Sequence, residues 1–257
     1  MKKRKLPLTA RLLLLFCAGF FFTGCGLEEY YYLPQVPQTS ITMSMNTNAT
    51  IKLPSITALY ARNYTIFYRI YISGFSTESS DVSQYTSISS NLTSDYNSIL
   101  PSTDPANTSA NTSILNTFKN RNYFELGFDN EDSAKLLPAE GGTLTIRFPT
   151  QDGDYPVASL DILNNNEEFR LCRSSELLSS QPRLPTGRPD LFFRNTPELS
   201  SFTNAISTVN ADVAGRSGVQ NHAYVSMYIV AEGYDNVNFT SIYSKPTHIG
   251  VFKLPNM

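Results

Sequence analysis

The stretch Tyr64-Thr-Ile-Phe-Tyr-Arg-Ile-Tyr-Ile72 decides the fold class. Tyr64, Ile66, Tyr68, Ile70 and Ile72 share one face at a period of two, and Thr65, Phe67, Arg69 and Tyr71 share the other. That alternation marks a strand with at least one buried face. The pattern returns near the C-terminus, where Ala223, Val225, Met227, Ile229 and Ala231 lie on one face and Tyr224, Tyr228 and Val230 on the other. Apolar residues on both faces predict a central strand. Upstream, Ile41, Met43 and Met45 alternate with polar residues. Between the two long runs, Leu144, Ile146 and Phe148 precede Asp152-Gly153, and Tyr155, Val157 and Leu160 follow it. Asp-Gly is a preferred tight-turn pair, so this is a predicted hairpin. Pro149 and Pro156 would confine its strands to an edge or end them early. The chain is therefore expected to be mainly β.

Two segments break the strand rhythm. Val82, Tyr85, Ile88, Leu92, Tyr96 and Ile99 recur every three or four positions, a helical stripe that Ser80 or Asp81 can cap and Pro101 closes. A loop over Pro105–Ser113 then leads to a shorter helical patch at Ile114, Leu115 and Phe118. We read residues 75–120 as a helical insertion. Disorder is the competing reading, because Ser, Thr, Asn and Asp dominate residues 75–113. The second segment is a short helix with Thr196 as N-cap, Pro197 in the first helical position, and Leu199, Phe202, Ile206 and Val209 at helical spacing. Before it, Pro182, Pro185 and Pro189 with Arg183, Arg188 and Arg194 mark a long irregular loop of the kind that often carries function.

The N-terminus has a separate grammar. Lys2, Lys3, Arg4, Lys5 and Arg11 precede an apolar run from Leu12 to Phe22 and then small residues before a cysteine, the three-part pattern of a secretory signal. A transmembrane helix needs about 20 apolar residues, which this run does not reach. Phe22-Thr-Gly-Cys25 resembles the lipobox of bacterial lipoproteins, in which cleavage exposes a cysteine that takes a diacylglycerol. Phe22 stands where most such motifs have leucine, a departure that spirochaete-type lipoproteins tolerate. The resemblance implies a signal peptide over 1–24, lipidation at Cys25 with a tether over 25–40, and a body over 41–257. It also implies an extracytoplasmic protein anchored to a bacterial membrane, the outer membrane or cell surface before the inner. Two or three acyl chains hold far more firmly than one. The tether from 26 to 37 spans at most about 40 Å, and Tyr30, Tyr31 and Tyr32 within it suit either the headgroup layer or the start of a strand.

A second resemblance concerns the body. Tyr64-Thr-Ile-Phe-Tyr-Arg-Ile-Tyr71 looks like the third strand of fibronectin type III domains. Tyr224-Val-Ser-Met-Tyr-Ile-Val-Ala231, with Tyr243-Ser-Lys-Pro246 and Ile249-Gly-Val-Phe252, looks like their last two. The resemblance implies a single immunoglobulin/fibronectin III-like β-sandwich over 41–257 with the helical insertion at about 75–120, and by analogy an interaction role.

Charge and motifs limit the chemistry. Removing the five basic residues of the signal from the chain's 20 leaves 15 against 22 acidic ones, a net of −7, so nucleic acid is not an expected partner. With Cys17 cleaved away and Cys25 acylated, Cys172 is left without a disulfide partner and reads as a buried, inert thiol. His222 and His248 fall within or beside predicted strands, with no ligand at helical spacing, and read as structural. The nucleophile elbow, phosphate-binding loop and dinucleotide glycine run are missing. Asp129, Asn130, Glu131 and Asp132, and Asp152 with Asp154, could offer oxygens to calcium but suit turns better. No cofactor or metal is expected. The expected function is a non-enzymatic binding or structural module of the cell envelope, reaching the membrane through Cys25 and an unidentified protein or glycan partner through the insertion or the Arg183–Arg194 loop. The alternatives are a solute-binding or envelope-assembly lipoprotein, which needs a concave pocket, and a motif-free hydrolase, which needs two carboxylates within about 10 Å.

Overall fold

The computed structural model describes residues 33–44, 46–57, 60–72, 82–83, 86–87, 108–128, 137–149, 156–162, 165–173, 193, 211–214, 223–235 and 240–254. All lie in the unit Tyr31–Met257. Its strands in chain order are β1 (Ile41–Ser44), β2 (Asn48–Leu53), β3 (Ala61–Ile72), β4 (Phe124–Glu125), β5 (Gly127–Phe128), β6 (Gly142–Arg147), β7 (Val157–Ile162), β8 (Asn165–Cys172), β9 (Val213–Ala214), β10 (Ala223–Asp235), β11 (Thr240–Tyr243) and β12 (Thr247–Lys253). Helix α1 spans Thr108–Asn120.

The alternating run at 64–72 and the run at 223–231 that is apolar on both faces become β3 and β10, which pair antiparallel from Ile72↔Ala223 to Ala61↔Gly233. Both are central strands; for β10 this is the position its two apolar faces predict, and for β3, with Thr65 and Arg69 on its second face, the structure adds it. On its far side β10 carries β12 along its first half and β11 along its second. The far side of β3 takes β4 and, in parallel, β9. The other sheet runs β1-β2-β6-β7-β8-β5, all antiparallel. The molecule is thus mainly β, with two curled antiparallel sheets on one core. The predicted hairpin is β6–β7, with Arg147 opposite Val157. β6 is paired on both sides, so Pro149 and Pro156 end their strands and do not mark an edge.

Alternation aims Ile51 and Leu53 of β2, Leu144 and Ile146 of β6, and Phe169 and Leu171 of β8 at the inner faces of β3 and β10, where Ile66, Tyr68, Ile70, Val225, Met227 and Ile229 meet them in one buried cluster. Each such side chain contributes about 1.5–3 kcal/mol on leaving water. Tyr64 is buried in the same cluster and donates its hydroxyl to the Pro54 carbonyl, fastening the β2–β3 connection. Gly141 supports the adjoining turn: its φ is +86°, and a Cβ there would lie 2.6 Å from the Leu53 carbonyl oxygen, so only glycine fits.

The outer face of β3 and β10 is covered by α1. Ile114 and Phe118 on the helix bury Phe67, Tyr228 and Val230, together with Tyr123 just beyond its end. Residues 108–113, expected from their Ser, Thr and Asn content to be loop, are helical; the packing anchor at Ile114 and Phe118 outweighs their weak helix preference. Of the upstream stripe, Val82, Ser83, Thr86 and Ser87 are helical and the rest lies outside the described residues, as does the helix expected at 196–209.

On one side the chain steps from sheet to sheet, and on the other the N-terminal segment packs on the body. β4 belongs to one sheet and β5, one residue later, to the other, and the intervening Leu126 N–H donates to Ile66. On the opposite side residues 33–40, expected to be tether, pack against the body. Leu33 and Val36 are buried. Thr247 Oγ1 donates to the Val36 carbonyl at 2.5 Å, and the Gln35 and Gln38 amides donate to the Pro246 and His248 carbonyls at 2.9 and 3.2 Å. Such cover denies a partner strand the open ladder that an edge would offer.

Candidate functional site

The end of β8 supplies the strongest polar feature. Phe169 and Leu171 face the core, and the same parity turns Arg173 inward, to 3 % exposure. Asp212, at 0 % exposure, immediately precedes β9; its carbonyl accepts from the Ile70 N–H at 2.9 Å, which fixes it beside β3. Arg173 Nε donates to Asp212 Oδ2 at 2.7 Å and Nη2 bonds Oδ1, a two-pronged ion pair. Tyr68 Oη donates to the same Oδ2 at 2.9 Å. Desolvation works against the Arg173 charge, but the hydrogen bonds and charge of Asp212, with Tyr68 behind them, outweigh it and raise the pKa. Phe193 stands edge-on to the Tyr68 ring at 4.9 Å and to Phe148 at 6.0 Å. Arg173 and Phe193, which flank and lie in the long Pro- and Arg-bearing loop, and Asp212 beyond it therefore converge on Tyr68.

A second polar chain crosses the outer face of the β3–β10 sheet. Tyr123 Oη donates to Ser226 Oγ at 3.2 Å, so the Tyr71 hydroxyl, 3.3 Å away, donates to Tyr123. Ser226 Oγ lies 3.3 Å from His248 Nε2. The serine oxygen can accept from Tyr123 and still bond Nε2 either way, so the direction of that bond follows the imidazole tautomer. Burial pushes the His248 pKa down to about 4, against a weaker opposing hydrogen bond to the Gly250 backbone. A neutral imidazole beside a serine hydroxyl is the chemistry of a nucleophile and its base, but Ser226 is fully buried in the sheet, where a substrate carbonyl cannot approach it. The chain instead joins β3, β10, β12 and the segment after α1. A third cluster closes the far end of this face: Thr65 donates to Glu232 at 2.7 Å and Asn63 to Thr65 at 3.1 Å. Burial, and then the Glu232 charge, push the nearby Tyr243 up to about 12.

The His248 chain makes the fold acid-sensitive. The folded-state pKa lies below the ordinary 6.5, so below that value the unfolded chain binds the extra proton first. Stability is expected to fall as pH drops from about 6.5 to about 4, by about 3 kcal/mol in all, with no contribution above that range. Urea midpoints across this window should show the loss, and His248→Gln should flatten it.

Of the candidate site residues read from the sequence that are among the described residues, His248 stands in a polar cluster. Cys172 is not buried: it ends β8 on the solvent side of the alternation, partly exposed, with its thiol 3.9 Å from the Arg170 carbonyl and no disulfide. Cys25, His222, Asp129, Asn130, Glu131, Asp132, Asp152, Asp154, Arg183, Arg188 and Arg194 lie outside the described residues. Among the described residues no group of three His, Cys, Asp or Glu side chains is arranged to hold a metal, and no helix is long and apolar enough to cross a membrane. Sequence reasoning missed Arg173, Asp212 and Tyr68 as a unit. No protein-family model, curated protein or solved structure matches the chain.

Proposed function

We propose that this chain is a lipid-anchored extracytoplasmic protein of a bacterial envelope, held at its membrane by acylated Cys25, whose body is an immunoglobulin/fibronectin III-like sandwich acting as a non-enzymatic binding or structural module. The observation that carries the anchor is Phe22-Thr-Gly-Cys25 behind five basic residues and a short apolar run. The strand order supports the sandwich. In such domains the third strand and the last two share a sheet with the penultimate strand between them, and β3, β10 and β12 stand in that relation. The first two strands pair with a later one in the opposite sheet, as β1, β2 and β6 do. The helix α1 and the β7–β8 extension are additions to that plan. Its polar clusters join elements: Arg173–Asp212–Tyr68 ties the two sheets, and Tyr71–Tyr123–Ser226–His248 ties the outer layer to its sheet.

Cys25→Ala is expected to abolish acyl labelling and move the protein from the membrane to the soluble fraction. Retention of both by the variant would sink the anchor. Proteolysis of intact cells then divides the partners, since degradation without lysis points to ligands outside the cell and protection to the periplasm.

A further inference from the structure

We propose that the end of the body carrying Tyr60, Arg62 and Tyr234 is a membrane-contact surface, turned toward the phospholipid headgroups of the bilayer that holds Cys25; this rests on the lipid-anchor reading above. Leu33 is buried, and its Cδ1 lies 3.2 Å from where a Cβ on Gly233 would stand. The chain therefore enters beside the last residues of β10. From Cys25 to Leu33 there are only eight residue steps, which reach at most about 29 Å when fully extended. β3 alone, at 12 residues, is about 40 Å long. The tether therefore limits the distance from the bilayer of the entry end first.

The chemistry at the entry end suits that position. The Tyr234 N–H donates to the Tyr60 carbonyl at 2.9 Å, so the two tyrosines stand together beside Gly233. The exposed Arg62 lays its guanidinium carbon 4.1 Å from the centre of the Tyr234 ring. Tyrosine rings are favoured at headgroup depth, and each basic side chain near an anionic leaflet contributes about 1 kcal/mol. Among the described side chains at this end, Lys52, exposed one residue before β2 ends, is a second cation, and Glu140 and Asp161, also exposed, offset the pair. The contact is therefore too weak to recruit the protein and acts on a chain already tethered. Its effect is orientation: the β4–β5 side and the far ends of β3 and β12 are held away from the lipid.

The chain contains no tryptophan, so Tyr234→Trp creates a single fluorophore at this end. Lys253→Trp creates one at the far end of β12, about 30 Å away along β10. The acylated full-length variants would be reconstituted in mixed phosphatidylcholine and phosphatidylglycerol vesicles containing a headgroup-depth quencher, and flotation measured on the same sample. The expected result is flotation of both, with Tyr234→Trp quenched several-fold more than Lys253→Trp. Adding Arg62→Glu should reduce that quenching by roughly twofold. Equal quenching at both ends in floated protein overturns the orientation while leaving the anchor intact. Failure of the acylated chain to float overturns both. If Tyr234→Trp does not fold, Tyr60→Trp serves as the reporter at the same end, with the same two outcomes.

Discussion

Asp212→Ala is expected to destabilise the fold by about 3–5 kcal/mol, measured as a lowered urea midpoint. The carboxylate is wholly buried and answers the Arg173 guanidinium at two points and the Tyr68 hydroxyl at a third. Removing it takes the counter-charge from a cation that is 3 % exposed and the carboxylate from the phenol that donates to it. The loss would reflect abandonment of a buried charge more than the intrinsic worth of the pair, because two desolvated ions repay little over an apolar replacement. The double variant Arg173→Met/Asp212→Leu should therefore recover most of the stability. If the double variant is as unstable as the single one, the ion pair does more than satisfy itself, and the junction between the sheets depends on its geometry.

Phe118→Ala should cost a similar amount, about 3–5 kcal/mol, with a different distribution. The Phe118 ring stacks on Phe67 at 4.2 Å and 9° and meets Tyr228 and Tyr123 at 5.8 and 5.9 Å. Such pairs add about 0.5–1.5 kcal/mol each beyond burial. A helix of 13 residues is marginal in water without its packing, so the loss should appear first as release of α1. Protease cleavage within 108–120 and faster amide exchange there should precede any change in the β core. Phe118→Leu should keep more than half of the stability. An alanine variant with a protected helix and a cost under about 1 kcal/mol would show that Phe118 is not its anchor.

The central place of Ala223–Ala231 was legible because it is apolar on both faces, a pattern that needs cover on both sides; Tyr64–Ile72 was legible as a strand with one buried face, while the cover over Phe67 and Tyr71 on its mixed face was not. The β6–β7 hairpin was legible from its turn pair. Residues 108–113 misled because local preference favours loop, and only the distant Phe67 and Tyr228 explain the helix. Leu33 and Val36 were hidden among Pro34 and Pro37 for the same reason: their burial is supplied by β10, β11 and β12, some two hundred positions away. The core pair was half visible. An arginine two residues after Leu171 continues the inward parity of Phe169 and Leu171, and the same parity puts Cys172 outside, so strict alternation would have corrected the thiol and flagged the arginine. Its partner could not be read, because Asp212 stands 39 positions away with no pattern linking the two. The lipid-anchor residues rest on the sequence alone.

The pairing of β3 with β10 also sets a timetable. Ile72 and Ala223 are neighbours in the sheet yet about 150 positions apart in the chain, and closing so long a loop delays every contact that depends on it. A polypeptide delivered N-terminus first, at a ribosome or through a membrane pore, presents Tyr64–Ile72 long before its partner arrives. For that interval a β-prone segment with Phe67 and Tyr71 on one side and Ile66 and Ile70 on the other lacks the strand that pairs with it along its whole length. Holding factors that grip extended aromatic strands should find their principal target there, and collapse to the finished body should come late, as a single step, once β10 has been handed over.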